Sequence, residues 1–516
     1  MGLYRFTPPS SGRMGTLWTL APIRGAALLE FGCMGHLLYS HSLLDRAGVP
    51  VSCSLYSTHL DETDIALGRT DRLDEALDVI IRKDGHHVVF LLPSSIPQII
   101  GVDLASLCQG LREKYPEALL IPFGHGSLDA TQPQGVRGAL LRLAESLAGR
   151  PGQTTRVDAA GAGVAPAGGR AGGRAGGRAA GQAEPLSFNI IGSCADLFRF
   201  KADAQELERI MTGAFGMTPL CVMTSDCSVE QIRHMSNARV NLVIRHEGEA
   251  AARCLHKRFG TAFVIGRPYG APATTRWIRQ VAQASGLPVD ERFLARENEE
   301  SQTLSARLAP VFSHLANKSP RAVRLSIGGH IDVVKGILAF ADEELGGSRG
   351  LCWCDDPEMG TEGLPFLTED AWSQEVVRHR AGLLMASGEA LSLRDRGAET
   401  SQRLRGLQIA NPDLRWRVNP YEPPFLGFRG ALNLLDFWLN AGLAYEHDTR
   451  NEWDERDEWD GRDGRDEPSG QNRRDGRDGQ NRRDGRDERD ERSGRDGRDG
   501  KGPSSSDTTE SEDGAL

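Results

Sequence analysis

Short apolar runs alternate with amphipathic stretches along most of the chain. His87-Val88-Val89-Phe90-Leu91-Leu92 is an apolar run ended by a loop, Asp103 to Tyr115 carries apolar residues at helical spacing, and Ala118-Leu119-Leu120-Ile121-Pro122 is the next run. That order predicts strand, helix, strand. Further on, Ser187 to Gly192, Pro219 to Met223, Val240 to Ile244 and Thr261 to Ile265 read as strands. Helices are predicted between them over Ala204 to Phe215, Val229 to Ser236 and Glu249 to Phe259. A third block opens with a strand from Ala322 to Gly329 and continues into a helix from Asp332 to Leu345. Alternation of this kind implies parallel sheets covered by helices, an α/β fold with three Rossmann-like domains.

Two segments fall outside that pattern. The Gly/Ala/Arg-rich stretch 151–184, with Gly168-Gly169-Arg170 and its repeats, has almost nothing to bury and reads as a flexible linker. After about His447 the chain becomes a run of Arg, Asp, Gly and Glu, so 448–516 reads as a solvated, disordered tail. The domains are therefore expected at 20–150, 185–317 and 318–447. Before residue 30, Pro8, Pro9, Gly12, Gly15, Pro22 and Gly25 are expected to break any helix.

The formal net charge of −10 gives no basic field to draw phosphates, so nucleic acid is not an expected partner. The acids of the tail also neutralise its arginines, which counts against RNA binding through Arg-Gly segments. No run of about twenty apolar residues is present, so no membrane span is expected and a cytoplasmic protein is. Gly328-Gly329 lacks the full dinucleotide fingerprint, and no phosphate loop ending in Gly-Lys-Ser/Thr occurs. If ATP drives electron transfer, another protein hydrolyses it.

The nine cysteines are too unevenly spaced for a disulfide framework. Cys33 follows Gly32, and Cys53 closes Pro50-Val51-Ser52-Cys53. Both sit at probable turns or strand ends and could converge on one face. Thiolates are the standard ligands of iron–sulfur clusters, which usually take four. From the spacing alone, two cysteines are either an incomplete cluster site or buried thiols.

Gly32-Cys33, Pro50-Val51-Ser52-Cys53, the acidic turn Asp61 to Gly68 and the loop Pro93-Ser94-Ser95 leading to Ile99-Ile100-Gly101-Val102-Asp103-Leu104 together resemble the first domain of the nitrogenase component 1 family, closest to its β-type chain. Phe259-Gly260, Arg267-Pro268-Tyr269-Gly270 with Thr274-Thr275, and Gly427-Phe428-Arg429-Gly430 to Leu434 resemble later turns of that family. The resemblance covers most of 20–150 and 185–445.

What it implies is a cluster at the boundary with a homologous α-type subunit, in an α2β2 assembly served by an ATP-dependent iron–sulfur reductase. Carried over by position, the metal ligands are Cys33, Cys53 and Ser95, with a serine where the family has its third cysteine. Serine is a harder, weaker ligand that must lose a proton, so a [4Fe-4S] cluster is expected rather than a larger double cluster. The family's cysteine for its large catalytic cofactor falls near Arg245 and the histidine near Arg417, so this chain is not expected to hold that cofactor alone.

The resemblance thus implies an electron-relaying oxidoreductase subunit, as in nitrogen fixation or the reduction of a tetrapyrrole or sulfur compound. The alternatives are a scaffold for metallocluster assembly and a metal-free interaction protein. His36, His59 and His125 lie near the cluster loops as proton relays or, more simply, structural histidines. Cys352 and Cys354 share one side of a strand by its period of two. Cys221, Cys227 and Cys254 read as packing residues, and Tyr421 to Phe428 as core or interface.

Overall fold

The structure is a computed structural model and describes residues 11–46, 51–124, 130–149, 186–225, 227–346, 349–356, 366–379, 382–388, 390–395, 405–411 and 423–463. Three four-stranded parallel sheets follow one another along the chain. The first holds β1 (Ala27–Phe31), β2 (Ser54–Ser57), β3 (Val88–Pro93) and β4 (Leu119–Pro122) in the order β2-β1-β3-β4. The second holds β5 (Ser187–Ser193), β6 (Thr218–Thr224), β7 (Val240–Val243) and β8 (Ala262–Ile265), in the order β6-β5-β7-β8. The third holds β9 (Leu325–Gly329), β10 (Arg349–Cys354), β11 (Leu383–Ser387) and β12 (Arg405–Ala410), ordered β10-β9-β11-β12.

The α/β architecture expected from the sequence is thus present three times with one strand order. In each sheet the order of strand addition reverses between the first strand and the third. Open α/β sheets bind their ligands at the carboxyl edge beside such a switch point.

Both faces of the first sheet are covered, which is why its strands read as continuous apolar runs. Leu28, Phe90 and Leu92 join one core, while Ala27, Leu29, Val89 and Leu91 join the other. The first of these cores continues through Ile191, Met223 and Val243 of the second sheet. Another core joins Phe188, Ile190 and Leu242 to Leu325, Ile327 and Leu383 of the third.

The expectation for the N-terminal segment fails. Gly12–Leu20 is a helix with every residue buried, capped by Ser11. Its glycines are contact points, not breaks: a Cβ on Gly15 would lie 2.1 Å from the Gln132 carbonyl oxygen, and one on Gly135 would lie 1.8 Å from that of Gly12. The helix Gln132–Ser146 therefore crosses it backbone to backbone.

Other boundaries shift by a few residues. The predicted 204–215 helix starts at Phe200, and the predicted 229–236 helix is an α-turn, Val229–Arg233, followed by a tighter one, Met235–Asn237. The helix Gly427–Asp463 runs on past His447, where the tail was expected to begin without structure. From Glu446 to Asp460 the sequence has neither Gly nor Pro, and its Glu and Arg residues favour a helix. The three sheets belong to one compact unit, residues 1–458; of 459–516 only the end of this helix is described.

Candidate functional site

Phe31 of β1 pairs with Pro93 of β3, so Cys33 and Ser95, each two residues further on, leave the same carboxyl edge at the reversal point of the first sheet. Ser94 N–H donates to the Phe31 carbonyl at 2.9 Å. A Cβ on Gly32 would lie 2.2 Å from Ser94 Oγ, so only glycine lets the two loops approach this closely. Cys33 is half-buried just before the helix Met34–Arg46, and Ser95 opens the short helix Ser95–Ile99. The loop after β2 joins them, Leu60 N–H donating to the Gly32 carbonyl at 3.0 Å. The acidic turn that follows is structural: Asp61 and Asp64 form a reciprocal cap, and buried Asp64 also pairs with Arg69 and Arg72.

Cys53 is not brought to this edge. It precedes β2, whose Ser54 pairs with Ala27 at the start of β1, and Cys53 N–H donates to the Ala21 carbonyl at 3.1 Å. In a parallel sheet that is the amino edge, on the order of 20 Å along the strands from Cys33. The thiol is buried among Leu44, Leu28 and other apolar side chains, and burial pushes its pKa up to about 12. The expectation that Cys33 and Cys53 converge overlooked strand direction: cysteines after one strand and before its parallel neighbour lie at opposite ends.

Beneath Cys33 lies a small polar group. Glu30 is fully buried and accepts from Arg13 Nη2 at 2.5 Å, and the same nitrogen donates to Ser40 Oγ at 2.8 Å. Burial raises the Glu30 pKa against the opposing pull of Arg13; burial and then Glu30 raise that of Cys33. Ser94 Oγ is buried with no hydrogen-bond partner among the described residues. One half-buried thiol, the Ser95 hydroxyl and this unused donor fit part of a cluster shell, not all of it. Met34, Leu38, Tyr39, Leu67, Ile99 and Ile100 stand exposed on the segments that follow these strands, Leu38 at 61% and Ile99 at 65%.

The corresponding edges of the second and third sheets meet each other and are filled. Arg245, two residues after β7, is fully buried, with Nη1 and Nη2 on the Asp196 carboxylate at 2.8 and 3.0 Å and Nε on Glu247 at 2.8 Å. His330, just after β9, places Nε2 2.9 Å from Glu247 and 3.0 Å from Arg245 Nη2. His246 Nδ1 lies 3.0 Å from Asp332, and its Nε2 is 3.5 Å from Asp356. The helix Gln132–Ser146 adds Gln132, donating to Asp196 at 3.2 Å, and Arg137, 3.5 Å from Asp356.

Burial alone would raise the Glu247 pKa, but Arg245 and His330 hold it well below the usual carboxylate range. Burial likewise opposes charge on His330, and Glu247 outweighs it, lifting the imidazole to about 9. Asp355 has its pKa raised by burial. Arg245 occupies the position where the family resemblance implies a cofactor cysteine, and its stem fills the space over Gly192, whose added Cβ would lie 2.5 Å from Arg245 Cγ. A large metal cofactor does not fit this edge as it stands. Arg417, the other position named, lies outside the described residues.

The remaining candidates are scattered. His59 is exposed with a φ of 52°, His36 offers its carbonyl to Arg13 at 3.4 Å, and His125 lies outside the described residues. Cys352 and Cys354 are both buried on β10, and burial pushes Cys354 up to about 11. Cys221 and Cys227 are buried in the core joining the first two sheets. Gly328 is a packing glycine, since a Cβ there would lie 2.7 Å from the Trp372 ring. The two glycine turns that resemble the family meet: Tyr269 bridges to Gly427, whose N–H donates to the Pro268 carbonyl at 3.0 Å. Of Tyr421 to Phe428, the described Phe425, Leu426 and Phe428 are core. The buried charge network was missed because its members come from distant segments; Arg245-His246-Glu247 after one strand and His330-Ile331-Asp332 after another were its signal.

Three repeated parallel sheets with chemistry-bearing loops at their reversal points define a nitrogenase-like α/β protein. The family model for nitrogenase component 1 type oxidoreductases matches residues 11–356, and the chain belongs to that family. Among curated relatives, it is 28% identical over 320 residues to the B-type subunit of the light-independent protochlorophyllide reductase of a Synechococcus species, covering 58% of this chain and 55% of that protein. It is 24% identical over 320 residues to the nitrogenase iron-molybdenum cofactor biosynthesis protein NifE of Bradyrhizobium diazoefficiens, covering 57% and 51%. The chain thus spans about half the length of these relatives. A solved structure, "Nitrogenase Cp1 at pH 6.5", superposes with a TM-score of 0.61 at 15% identity, over 86% of this chain and 94% of that one. At that identity the likeness is one of fold. Among the described residues no helix is long and apolar enough to cross a membrane.

Proposed function

We propose that this chain is the β-type subunit of a nitrogenase-like, two-component oxidoreductase of the cytoplasm. Cys33 contributes a thiolate, and Ser95 stands beside it, in a [4Fe-4S] cluster whose remaining ligands come from a homologous α-type chain. Such a cluster stores and passes single electrons, received from a separate ATP-dependent iron–sulfur reductase. The observation that carries this reading is the carboxyl edge of the first sheet. It holds one half-buried thiol at the surface and a glycine with no room for a Cβ, and the segments that follow carry exposed apolar side chains. A chain offering so few ligands at an apolar surface needs a partner to complete the shell and cover the rim. In this proposal Cys53 is a core thiol.

The test is anaerobic co-purification with a homologous α-type chain, expected as an α2β2 complex. Cys33→Ala should remove most of the iron and the brown absorbance, whereas Cys53→Ala should keep both. Ser95→Cys should hold the cluster more firmly, because thiolate is the stronger donor to iron. Full iron in Cys33→Ala would remove the cluster from this edge.

A second reading, a scaffold for metallocluster assembly, is favoured by the similarity to NifE. It is separated from the first by activity: a scaffold hands its cluster to an apo-acceptor and shows no ATP-dependent turnover with the reductase.

A further inference from the structure

We propose that His246, Glu247, His330 and Asp332 form a binding site for one divalent first-row transition-metal ion, separate from the iron–sulfur edge. One ligand atom from each residue lies within 4.8 Å of the other three. An ion about 2.1 Å from each of four ligands separates neighbouring ligand atoms by roughly 3.4 Å. His246 Nδ1 is 3.0 Å from Asp332 Oδ2 and 3.4 Å from Glu247 Oε2, and His330 Nε2 is 2.9 Å from Glu247 Oε1. The remaining pairs lie within 4.8 Å, so small movements bring all four to coordinating distance. Two imidazoles with two carboxylates suit zinc, ferrous iron or manganese, and lack the thiolate that a cluster or cuprous ion prefers.

Charge supplies the second argument. The carboxylates of Asp196, Glu247, Asp332, Asp355 and Asp356 outnumber their cations Arg137, Arg245 and His330 around this point. Enclosed excess negative charge is costly unless a cation or protons neutralise it. Asp196 already accepts both terminal nitrogens of Arg245, leaving Glu247, Asp332 and Asp356 gathered around His246.

The unused face of His246 supplies the third. The side chain is 9% exposed, and Nε2 has no hydrogen-bond partner among the described residues, though it points at Asp356 3.5 Å away. A metal on Nδ1 fixes the ring proton on Nε2, directed at that carboxylate, as in the usual carboxylate–histidine–metal arrangement. His330 offers Nε2 to the ion, and its other ring nitrogen lies 3.3 Å from Asp332 N–H. Arg245 stays on Asp196 and orients Glu247.

The full-length chain, stripped with chelator, is titrated anaerobically with Co2+ and separately with Zn2+. The expected result is one equivalent of Co2+ with weak visible bands and no sulfur-to-cobalt charge transfer. The spectrum should be unchanged in Cys33→Ala, which separates this site from the cluster. Zn2+ should raise the melting temperature of the unmodified chain by mass action. Asp332→Asn, at a partly exposed position, should weaken Co2+ binding roughly tenfold or more, as should His246→Gln. Absence of binding to the unmodified chain overturns the proposal. So do a thiolate-type spectrum lost in Cys33→Ala, and an unchanged affinity in Asp332→Asn.

Discussion

The first sheet and its two successors share a strand order, yet their carboxyl edges are furnished in opposite ways. At the first, Cys33 and Ser95 leave the sheet over the buried Arg13–Glu30 pair, with the paired charges of Asp64, Arg69 and Arg72 confined to the turn after β2. At the second and third, Arg245, Glu247, Asp196 and His330 close on one another with no exposure. The same edge is left incomplete in one place and stoppered in another. An edge that must accept a ligand shell from outside has to keep its own groups sparse and accessible. An edge filled with closely packed charges rigidifies the meeting of domains and leaves room for a single ion at most, not for a large metal cofactor.

The largest effect that would break this contrast is replacement of Arg245. Arg245→Cys restores the residue type that the family resemblance implies there, but leaves Asp196 and Glu247 without their common cation. Removing one partner of a buried ion pair typically costs about 3–5 kcal/mol. We expect a loss of that order in denaturant unfolding at neutral pH, with partial recovery in the triple variant Asp196→Asn, Arg245→Cys, Glu247→Gln. A stable Arg245→Cys single variant would mean that this edge is open to solvent or ligand and not stoppered.

A smaller loss is expected at the helix crossing that carries Gln132 and Arg137 to the network. Gly135→Ala pushes a Cβ to within 1.8 Å of the Gly12 carbonyl and must part the two helices. Overpacking of this kind costs about 1–3 kcal/mol. If helix separation also loosens the second edge, the Gln132–Asp196 bond at 3.2 Å should weaken with it. Hydrogen exchange should then quicken around 245–248 and not around 31–33. Equal quickening at both edges would show that the first depends on the same scaffold.

These positions also show what the sequence discloses and what it hides. The sheets were legible because burial on both faces makes strands such as Val88 to Leu92 continuous apolar runs. Cys33 and Ser95 were linked in the sequence only through the family resemblance; that each follows a strand of one sheet is visible only in the strand pairing. Cys53 was misplaced because spacing carries no sense of strand direction, and the pairing of Ser54 with Ala27 alone decides it. The helix Gly12–Leu20 was hidden by its glycines, which act through contact with a segment about 120 residues away, not through local propensity. The charge network was hidden for a related reason: single charged residues after strands look like solvated loop positions until three domains are brought together.

The smallest expected effect contrasts buried Glu247 with half-buried Glu344. Glu247 has cations on both sides and is held ionised, whereas Glu344 has none among its causes of shift: burial, opposed by the Ala271 N–H it accepts from at 2.9 Å and reinforced by Glu343, raises it to about 7. A carboxyl with a raised folded-state pKa favours the fold in its neutral form. Its contribution is therefore fully present below the ordinary value of 4.5 and is lost as pH rises through about 7. Glu344→Gln keeps an oxygen for Ala271 N–H and removes the titration. The variant and the unmodified chain should match near pH 4.5, and the variant should gain on the order of 1 kcal/mol relative to it by pH 8. Denaturant midpoints measured across that range decide the matter. Parallel profiles would mean that Glu344 ionises as freely as a surface carboxylate, and that burial without a cation is not what separates it from Glu247.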